Sequence, residues 1–211
     1  MLTLDEEMFL GRGCTQTCYK HPRDSGLCVK IVRRDQGNKH GQKDVDREIA
    51  YRKMLATKDK DYSILAKYYG TEPTNLGEGY VYERIIDADG CASISLSDYM
   101  RDEALLKNNF AKIVAALKEL KSGISANEIV TMSLGPHNIF MQKLGESFKA
   151  RIIDDIGSND PLPLAYWFGV YAKARARYKW AKFRRVIVKE NADRAPNESL
   201  RKLVRKLAKE I

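Results

Sequence analysis

The first third of the chain carries short apolar runs separated by polar turns, a pattern typical of β-strands. Pro22 and Gly26 mark a turn between two of these runs and predict a hairpin. Residues 44–57 instead place Val45 and Ile49 on one side of a helix. We expect a small sheet with one helix, its strands formed by the runs 8–10, 17–20, 27–32, 68–70 and 80–86.

From Ser97 onward the apolar spacing becomes helical, interrupted by one pair of short strands at 138–142 and 148–153. The first long helix is predicted to end near Gly123, and the last to begin near Asn197 or Ser199. Three sets of residues carry the helical spacing: Phe110, Ile113, Val114 and Leu117; Trp167, Tyr171, Ala174 and Tyr178; and Leu200, Leu203, Val204 and Leu207. The elements together predict an α+β fold with a helical C-terminal part.

The composition is that of a soluble globular protein. The 211 residues are 44% hydrophobic and 31% charged, and no apolar run reaches the roughly 18 residues that a membrane span needs. The N-terminal ten residues are acidic where a secretory signal would be basic, so we expect a cytoplasmic location. The four cysteines, Cys14, Cys18, Cys28 and Cys91, are therefore predicted to be free thiols.

The net charge of +9 comes from one end of the chain. Residues 167–211 contain 14 lysines and arginines against 4 aspartates and glutamates, whereas the remainder is nearly neutral. Such a basic segment favours an acidic partner surface. Between 166 and 189 the cations alternate with aromatic residues.

Four interpretations of this basic aromatic segment stay open. A helix of the fold could pack its aromatic residues inward and leave the cations in solvent, which is the expectation carried forward. The same residues suit a helix on an anionic membrane surface, which would make the protein peripheral to the inner membrane. Contact with nucleic acid is less favoured, and an acidic protein partner is the fourth interpretation.

Two glycines between the first strands form a candidate phosphate-binding turn. Gly11 and Gly13 would let backbone amides come close to phosphate oxygens, because glycine has no side chain in the way. An ordinary hairpin has the same pattern. Lys30 follows inside an apolar run, and a lysine that points into a sheet needs an anionic partner, for which Glu48 is the candidate. The alternative is an edge-strand lysine with its ammonium in solvent.

The order of these features resembles protein kinases, in which a glycine-rich loop precedes a strand lysine and a helix glutamate. Residues 129–140 resemble the kinase catalytic loop, and residues 151–157 resemble the strand that delivers the magnesium-binding aspartate. The matching positions of the loop are Leu134, Pro136, Asn138 and Ile139.

Over nearly its whole length the chain resembles the YrbL family, bacterial proteins named for the PhoP regulatory network. The most similar segments are 11–32, 79–82, 129–138 and 154–164. The resemblance implies a protein-kinase-like bilobal fold. Its parts would be an N-terminal lobe with the small sheet (1–86), a reduced helical C-terminal lobe (87–190) and a basic amphipathic helix (191–211).

The resemblance also implies a nucleotide site that takes ATP. The glycine turn would cover the phosphates, the strand lysine would bind them, and the helix glutamate would orient the lysine. A hinge near residue 85 would lie beside the adenine. The implied nucleotide-binding residues are Gly11, Gly13, Lys30, Glu48, Glu83 and Ile85.

Two residues would bind Mg²⁺ if the kinase pattern holds. Asn138 and Asp154 correspond to the family's amide and carboxylate ligands, which suit a hard cation. Asp154 is preferred because it directly follows two isoleucines of a predicted strand. Asp155 is the alternative, because with the next two residues it matches the three-residue kinase motif better.

The catalytic loop departs from the kinase pattern at two charged positions. Ser133 stands where kinases have the catalytic aspartate, and Gly135 stands where they have a lysine. A hydroxyl cannot accept a proton near neutral pH as a carboxylate does, and loss of a positioned base typically costs about 10²–10⁴-fold in rate. Ser133 and Asp154 are the candidate catalytic residues. The chain after Asp154 is also too short for the usual platform that binds a peptide substrate.

These features lead to one predicted function and one alternative. The first is an ATP- and Mg²⁺-binding protein linked to the PhoP network, either transferring phosphate to a non-protein substrate or sensing a nucleotide. The alternative is a non-catalytic pseudokinase scaffold that acts through a protein, a membrane surface or nucleic acid. Whether the protein is an enzyme is left open, because Ser133 and Gly135 favour the scaffold and Lys30 and Asn138 favour the nucleotide site.

Overall fold

The computed structural model describes residues 1–33, 41–158 and 168–211 in two compact units. The first unit comprises Met1–Lys58 and Ala66–Ile85, and the second comprises Asp59–Leu65 and Ile86–Ile211. The main chain passes from one unit to the other after Lys58, after Leu65 and after Ile85. The hinge near residue 85 stays a prediction. The three-part division into 1–86, 87–190 and 191–211 stays a prediction.

The first unit is an antiparallel five-stranded sheet with one helix. Its strands have the spatial order β1-β2-β3-β5-β4, so β3 lies at the centre. A 3₁₀ turn at Glu6–Met8, capped by the Asp5 carboxylate, leads into the first strand. The elements are β1 (Phe9–Arg12), β2 (Gln16–His21), β3 (Asp24–Val32), α1 (Gly41–Leu55), β4 (Tyr68–Thr74) and β5 (Gly77–Glu83).

The alternation of β3 supplies both faces of this sheet. Val29 and Ile31 pack with Leu2 and Leu4 on one face, because successive side chains of a strand point to opposite sides. On the other face Cys28 joins an apolar cluster with residues of β5 and α1. The four buried residues of that cluster are Cys28, Val45, Tyr80 and Tyr82.

The second unit is mainly helical and contains one hairpin. Asp102 caps the long helix by accepting a hydrogen bond from Leu105 N, and Asn197 caps the last helix by accepting one from Leu200 N. A π-helical turn, Ile187–Ala192, joins the last two helices. The elements are α2 (Leu96–Tyr99), α3 (Glu103–Ala126), β6 (Ile139–Leu144), β7 (Ser147–Ile152), α4 (Gly169–Val186) and α5 (Glu198–Glu210).

Helix α3 does not end at Gly123, as the sequence suggested, but continues to Ala126. A Cβ built on Gly123 would lie 3.3 Å from Ile64 Cδ1. The glycine therefore serves close packing against the segment before β4, and the helix ends three residues later. The buried residues of α3 are Leu106, Ile113, Ala116, Leu117, Leu120 and Ile124.

The structure confirms a mixed α/β protein with a small antiparallel sheet, one helix on it, and a helical second part. The kinase-like bilobal arrangement stays a prediction. All four cysteines are free thiols. In the described parts of the chain, no helix combines the length and the apolar character that crossing a membrane requires.

Candidate functional site

The glycine turn of the first unit is held by its own backbone and by one arginine. Gly13 N donates to Gln16 O at 2.8 Å, which closes the turn between β1 and β2. The Arg33 guanidinium donates from Nη1 to Gly13 O at 2.8 Å and to Cys14 O at 3.2 Å. The side chain that follows β3 therefore fixes the turn between the first two strands.

Neither glycine of this turn is required by the fold. Gly11 and Gly13 are absent from the residues with positive φ. A Cβ on Gly11 would meet nothing within 4 Å, and one on Gly13 would meet Gln16 O at an ordinary 3.5 Å. Open space beside two glycines is what a closely approaching ligand needs.

Lys30 lies on the same face of the sheet as Gly11. The register pairs Gly11 with Cys18 and Cys18 with Lys30, so the three residues form one cross-strand row that continues to Tyr80. Strand spacing puts the two ends of the Gly11–Lys30 row about 10 Å apart. The glycine and the lysine therefore face the same space.

Lys30 is buried in the central strand, which excludes the edge-strand alternative. Lys30 is only 6% exposed, and its Nζ lies 4.6 Å from the centroid of the Tyr82 ring. A cation over an aromatic face is attracted by the ring quadrupole. The ammonium thus has a defined position above β5.

Glu48 is buried as well, and its described contact is with Arg52. The Arg52 Nε donates to Glu48 Oε1 at 2.8 Å, and Arg52 Nη1 donates to Ala66 O at 2.6 Å. The Arg52 guanidinium carbon lies 5.2 Å from the centroid of the Tyr82 ring. Sequence reasoning missed Arg52, although the spacing of four residues from Glu48 on a helix was a usable signal.

Glu83 and Ile85 lie at the end of β5 and just beyond it. Glu83 N donates to Lys67 O at 2.8 Å, and its carboxylate accepts from Lys67 N at 3.0 Å. Glu83 O accepts a hydrogen bond from Cys28 Sγ at 3.9 Å. The hydrogen bond with Cys18, followed by burial, raises the pKa of the Cys28 thiol, so this part of the sheet face carries a neutral thiol.

The loop of the second unit that resembles the kinase catalytic loop is tied to residues 155–157. A single antiparallel bridge joins Thr131 to Ile156. Met132 N donates to Asp155 O at 2.7 Å, and Gly157 N donates to Val130 O at 2.8 Å. The two segments singled out from the sequence are thereby adjacent in space.

Asn138 and Asp155 make a direct side-chain contact. Asn138 Nδ2 donates to Asp155 Oδ2 at 3.0 Å, and Ile153 N donates to Asn138 O at 3.0 Å. Asp155 has a φ of 61°, a left-handed conformation that aspartate tolerates better than most residues. Its N–H donates to Asp154 Oδ1 at 2.9 Å. This geometry favours Asp155 as the carboxylate partner of Asn138, although the choice between the two aspartates stays a prediction.

An imidazole occupies the space beside Gly135. A Cβ at Gly135 would lie 2.4 Å from His137 Cε1 and 2.9 Å from its Nδ1. Ser133 and His137 are both exposed. Sequence reasoning missed His137, and the glycine two residues before it was the available signal.

Lys179 of α4 brings a second basic group to this loop. Its Nζ donates to Met132 O, next to Ser133. No local pattern could have indicated this contact, because α4 follows the loop by more than thirty residues. The loop that lacks the kinase aspartate and lysine therefore holds an imidazole and an ammonium from other positions.

The donor atoms of the second unit fit Mg²⁺. This ion prefers oxygen ligands, usually takes one or two carboxylates, and completes its shell with phosphates and water. Asn138 and Asp155 carry the amide and the carboxylate groups that such an ion uses, and Asn138 Nδ2 lies 3.0 Å from Asp155 Oδ2. Within the described residues no three His, Cys, Asp or Glu side chains form a group that could hold a metal ion.

The sheet with its helix, the mainly helical unit and the polar loop in each define a mixed α/β protein with candidate ligand-binding residues in both units. A family model described as PhoP regulatory network protein YrbL matches residues 2–188. The YrbL proteins of Escherichia coli (strain K12) and Shigella flexneri are each 37% identical over 185 residues, which cover 87% of this chain and 86% of each relative. The chain belongs to the YrbL family, and α5 lies beyond the matched residues.

Proposed function

We propose that this protein is a nucleotide-binding regulator that takes ATP with Mg²⁺ and acts in the PhoP regulatory network. The first unit binds the phosphates through Lys30 and the turn at Gly11 and Gly13. The second unit binds the metal through Asn138 and Asp155. The network follows from the family's description.

The cross-strand row from Gly11 to Lys30 is the observation that carries the proposal. A glycine that the fold does not require and a buried lysine share one sheet face. Lys30 is 6% exposed and its Nζ lies 4.6 Å from the centroid of the Tyr82 ring, so its positive charge has a defined position on this face. Phosphate is the anion that a lysine and a glycine turn commonly bind together.

The loop at residues 129–140 limits the chemistry that can follow nucleotide binding. Ser133 is exposed and supplies no carboxylate, so transfer to an acceptor hydroxyl lacks the usual base. We therefore propose nucleotide sensing as the main activity. Slow phosphoryl transfer to a non-protein acceptor is the second candidate, favoured by the His137 imidazole beside Gly135, because histidine is the side chain that most often serves as a general base.

Calorimetric titration with ATP, with and without Mg²⁺, tests the proposal. Lys30→Met should abolish binding, whereas Lys53→Met, at an exposed lysine of α1, should bind like the wild type. Asp155→Asn should lose the part of the affinity that depends on Mg²⁺, and Asp102→Asn, which preserves the cap of α3, should not. Absence of heat with ATP under both conditions, or full binding by Lys30→Met, would overturn the proposal.

Melting curves give an independent measure. A ligand at about 100 times its Kd stabilises the folded state by about 2.7 kcal/mol, which for a chain of this size corresponds to roughly 5–10 °C in Tm. For the second candidate, His137→Gln should abolish any transfer of labelled phosphate while leaving this Tm shift intact. Transfer that persists in His137→Gln would exclude the imidazole as the base.

A further inference from the structure

Helix α4 is apolar on two opposite faces. The inner face is buried in the second unit, and its residues recur at helical spacing: Ala172, Ala176, Trp180 and Phe183. Trp180 Nε1 donates to Ile211 O at 3.2 Å, and Arg184 Nε donates to Ala208 O at 2.7 Å. The inner face therefore supplies the side chains by which α4 packs into the core of the second unit.

The outer face carries the aromatic stripe that the sequence analysis expected to pack inward. Tyr171 is 55% exposed and Tyr178 is 65% exposed, and Ala174 between them is also exposed. Just before them, Phe168 is 54% exposed and Val170 is 81% exposed. Trp167, the first member of the expected stripe, lies outside the described residues. The described part of the stripe thus faces solvent.

These four large side chains form a concentrated apolar surface. Ten large apolar residues are exposed in the described chain, and four of them fall between 168 and 178. Phe168 and Tyr171 also contact each other edge to face, with centroids 6.1 Å apart. Large exposed apolar patches of this kind mark interaction sites more often than isolated exposed residues do.

The charges on the outer face have one sign. Residues three, four or seven positions apart lie on one side of a helix. The side that carries Tyr171, Ala174 and Tyr178 therefore continues with Lys182 and Arg185. Lys173 and Arg177 are also exposed on this helix, and α4 contains no aspartate or glutamate. The outer face is therefore apolar in its first half, basic in its second half, and complementary to an anionic surface.

We infer that the outer face of α4 binds the surface of an anionic phospholipid bilayer. Tyrosine and phenylalanine rings suit the boundary between headgroups and acyl chains, and lysines and arginines suit anionic headgroups. Val170 favours lipid over nucleic acid, because an aliphatic side chain has no ring to stack on bases but gains from burial in lipid. The helix lies along the surface while its inner face stays packed in the second unit.

Sedimentation with vesicles tests this inference. Vesicles of phosphatidylcholine with phosphatidylglycerol should carry the wild-type protein down, and vesicles of phosphatidylcholine alone should carry at least tenfold less. The double variant Tyr171→Ser, Tyr178→Ser should lose most of the binding. Its matched control, Tyr69→Ser, changes a tyrosine on β4 that is 58% exposed, and should bind like the wild type.

Charge reversal gives a second test that does not depend on the aromatic residues. Arg177→Glu with Lys182→Glu should reduce vesicle binding about tenfold or more, since each surface cation contributes roughly fivefold. Lys107→Glu with Lys118→Glu, at exposed positions of α3, is the matched control. Circular dichroism checks that each variant is folded.

Three outcomes would overturn the inference. The first is equal sedimentation with both kinds of vesicle, and the second is unchanged binding by both the tyrosine and the charge variants. The third is a gel shift with single-stranded RNA or duplex DNA that Arg177→Glu with Lys182→Glu abolishes, in a protein that no vesicle sediments. Failure of ATP binding would leave the lipid result unaffected, because the α4 variants do not touch the proposed nucleotide residues.

Discussion

Replacement of Asp155 separates a role in metal binding from a structural role. Its φ of 61° lies in the left-handed region, which asparagine and aspartate tolerate and alanine does not. Its carboxylate accepts the 3.0 Å hydrogen bond from Asn138, and an asparagine at this position can accept the same bond. Asp155→Asn should therefore preserve the backbone and the hydrogen bond while removing the negative charge.

Asp155→Ala loses both structural features, and the cost can be estimated from them. The left-handed conformation costs an alanine roughly 1–2 kcal/mol, and loss of the hydrogen bond costs about 0.5–1.5 kcal/mol. We expect a destabilisation of about 1.5–3.5 kcal/mol, or roughly 3–14 °C in Tm. Asp154→Ala is the control for the backbone cost, because it also loses one hydrogen bond, which its Oδ1 accepts from Asp155 N at 2.9 Å, but has no positive φ.

Scanning calorimetry of the apo protein and of the protein with ATP and Mg²⁺ measures both effects. Without ligand, Asp155→Asn should have the same Tm as the wild type. With ATP and Mg²⁺ it should lose the Mg²⁺-dependent part of the increase in Tm, which Asp154→Asn should retain. The opposite result for the two asparagine variants would assign the metal to Asp154. An Asp155→Ala variant as stable as the wild type would refute the structural argument from φ and the hydrogen bond.

Three further predictions concern stability and thiol chemistry. Burial, followed by the nearby Asp87 charge, raises the pKa of Tyr99 to about 12, and no described residue hydrogen-bonds its hydroxyl. In denaturant titrations Tyr99→Phe should therefore leave the free energy of unfolding unchanged or raise it by up to about 1 kcal/mol. A clear decrease in that free energy would contradict this. The Asp89 charge raises the pKa of Cys91, so Asp89→Asn should lower the pH midpoint of Cys91 alkylation, followed by mass spectrometry, and an unmoved midpoint would exclude the charge effect. Gly135→Ala should be more favourable in a His137→Ala background than in the wild type by about 0.5–1 kcal/mol, because the imidazole occupies the space of the new methyl group; additive free energies of unfolding would contradict that packing.

The elements of the fold were accessible from sequence because their signals are local. The predicted hairpin forms with its turn at residues 22–23, although Gly26 lies inside β3 and not in the turn, and the predicted helix forms as α1, which begins at Gly41 and not at Asp44. The cap at Asn197 is also as predicted. The resemblance of residues 129–140 to the kinase catalytic loop also came from the local order of residues, and it stays a prediction. The prediction that α3 ends near Gly123 was wrong, because this glycine is needed for close packing against Ile64 and not for ending the helix. A glycine in a helical sequence has the same appearance in both cases.

The candidate site required the tertiary structure wherever two segments had to meet. The sequence alone left Asp154 and Asp155 as alternatives, since both follow the same strand. The β6–β7 pairing of Ile139 with Ile152 brings Asn138 to the segment that contains Asp155, and the bridge between Thr131 and Ile156 brings the preceding loop to the same segment. Lys179 reaches the loop from α4 and had no sequence signal at all.

Helix α4 shows which of its features the sequence determines and which only the tertiary structure determines. Its sequence contains two stripes with helical spacing, one through Tyr171 and Tyr178 and one through Ala172 and Trp180. Periodicity established that this segment is a helix with apolar faces, but both stripes satisfy the same period. Packing in the second unit, with Trp180 Nε1 hydrogen-bonded to Ile211 O, decided that the alanine–tryptophan stripe is buried. The tyrosine stripe is left in solvent, because a helix on the surface of a core can bury one side and not both.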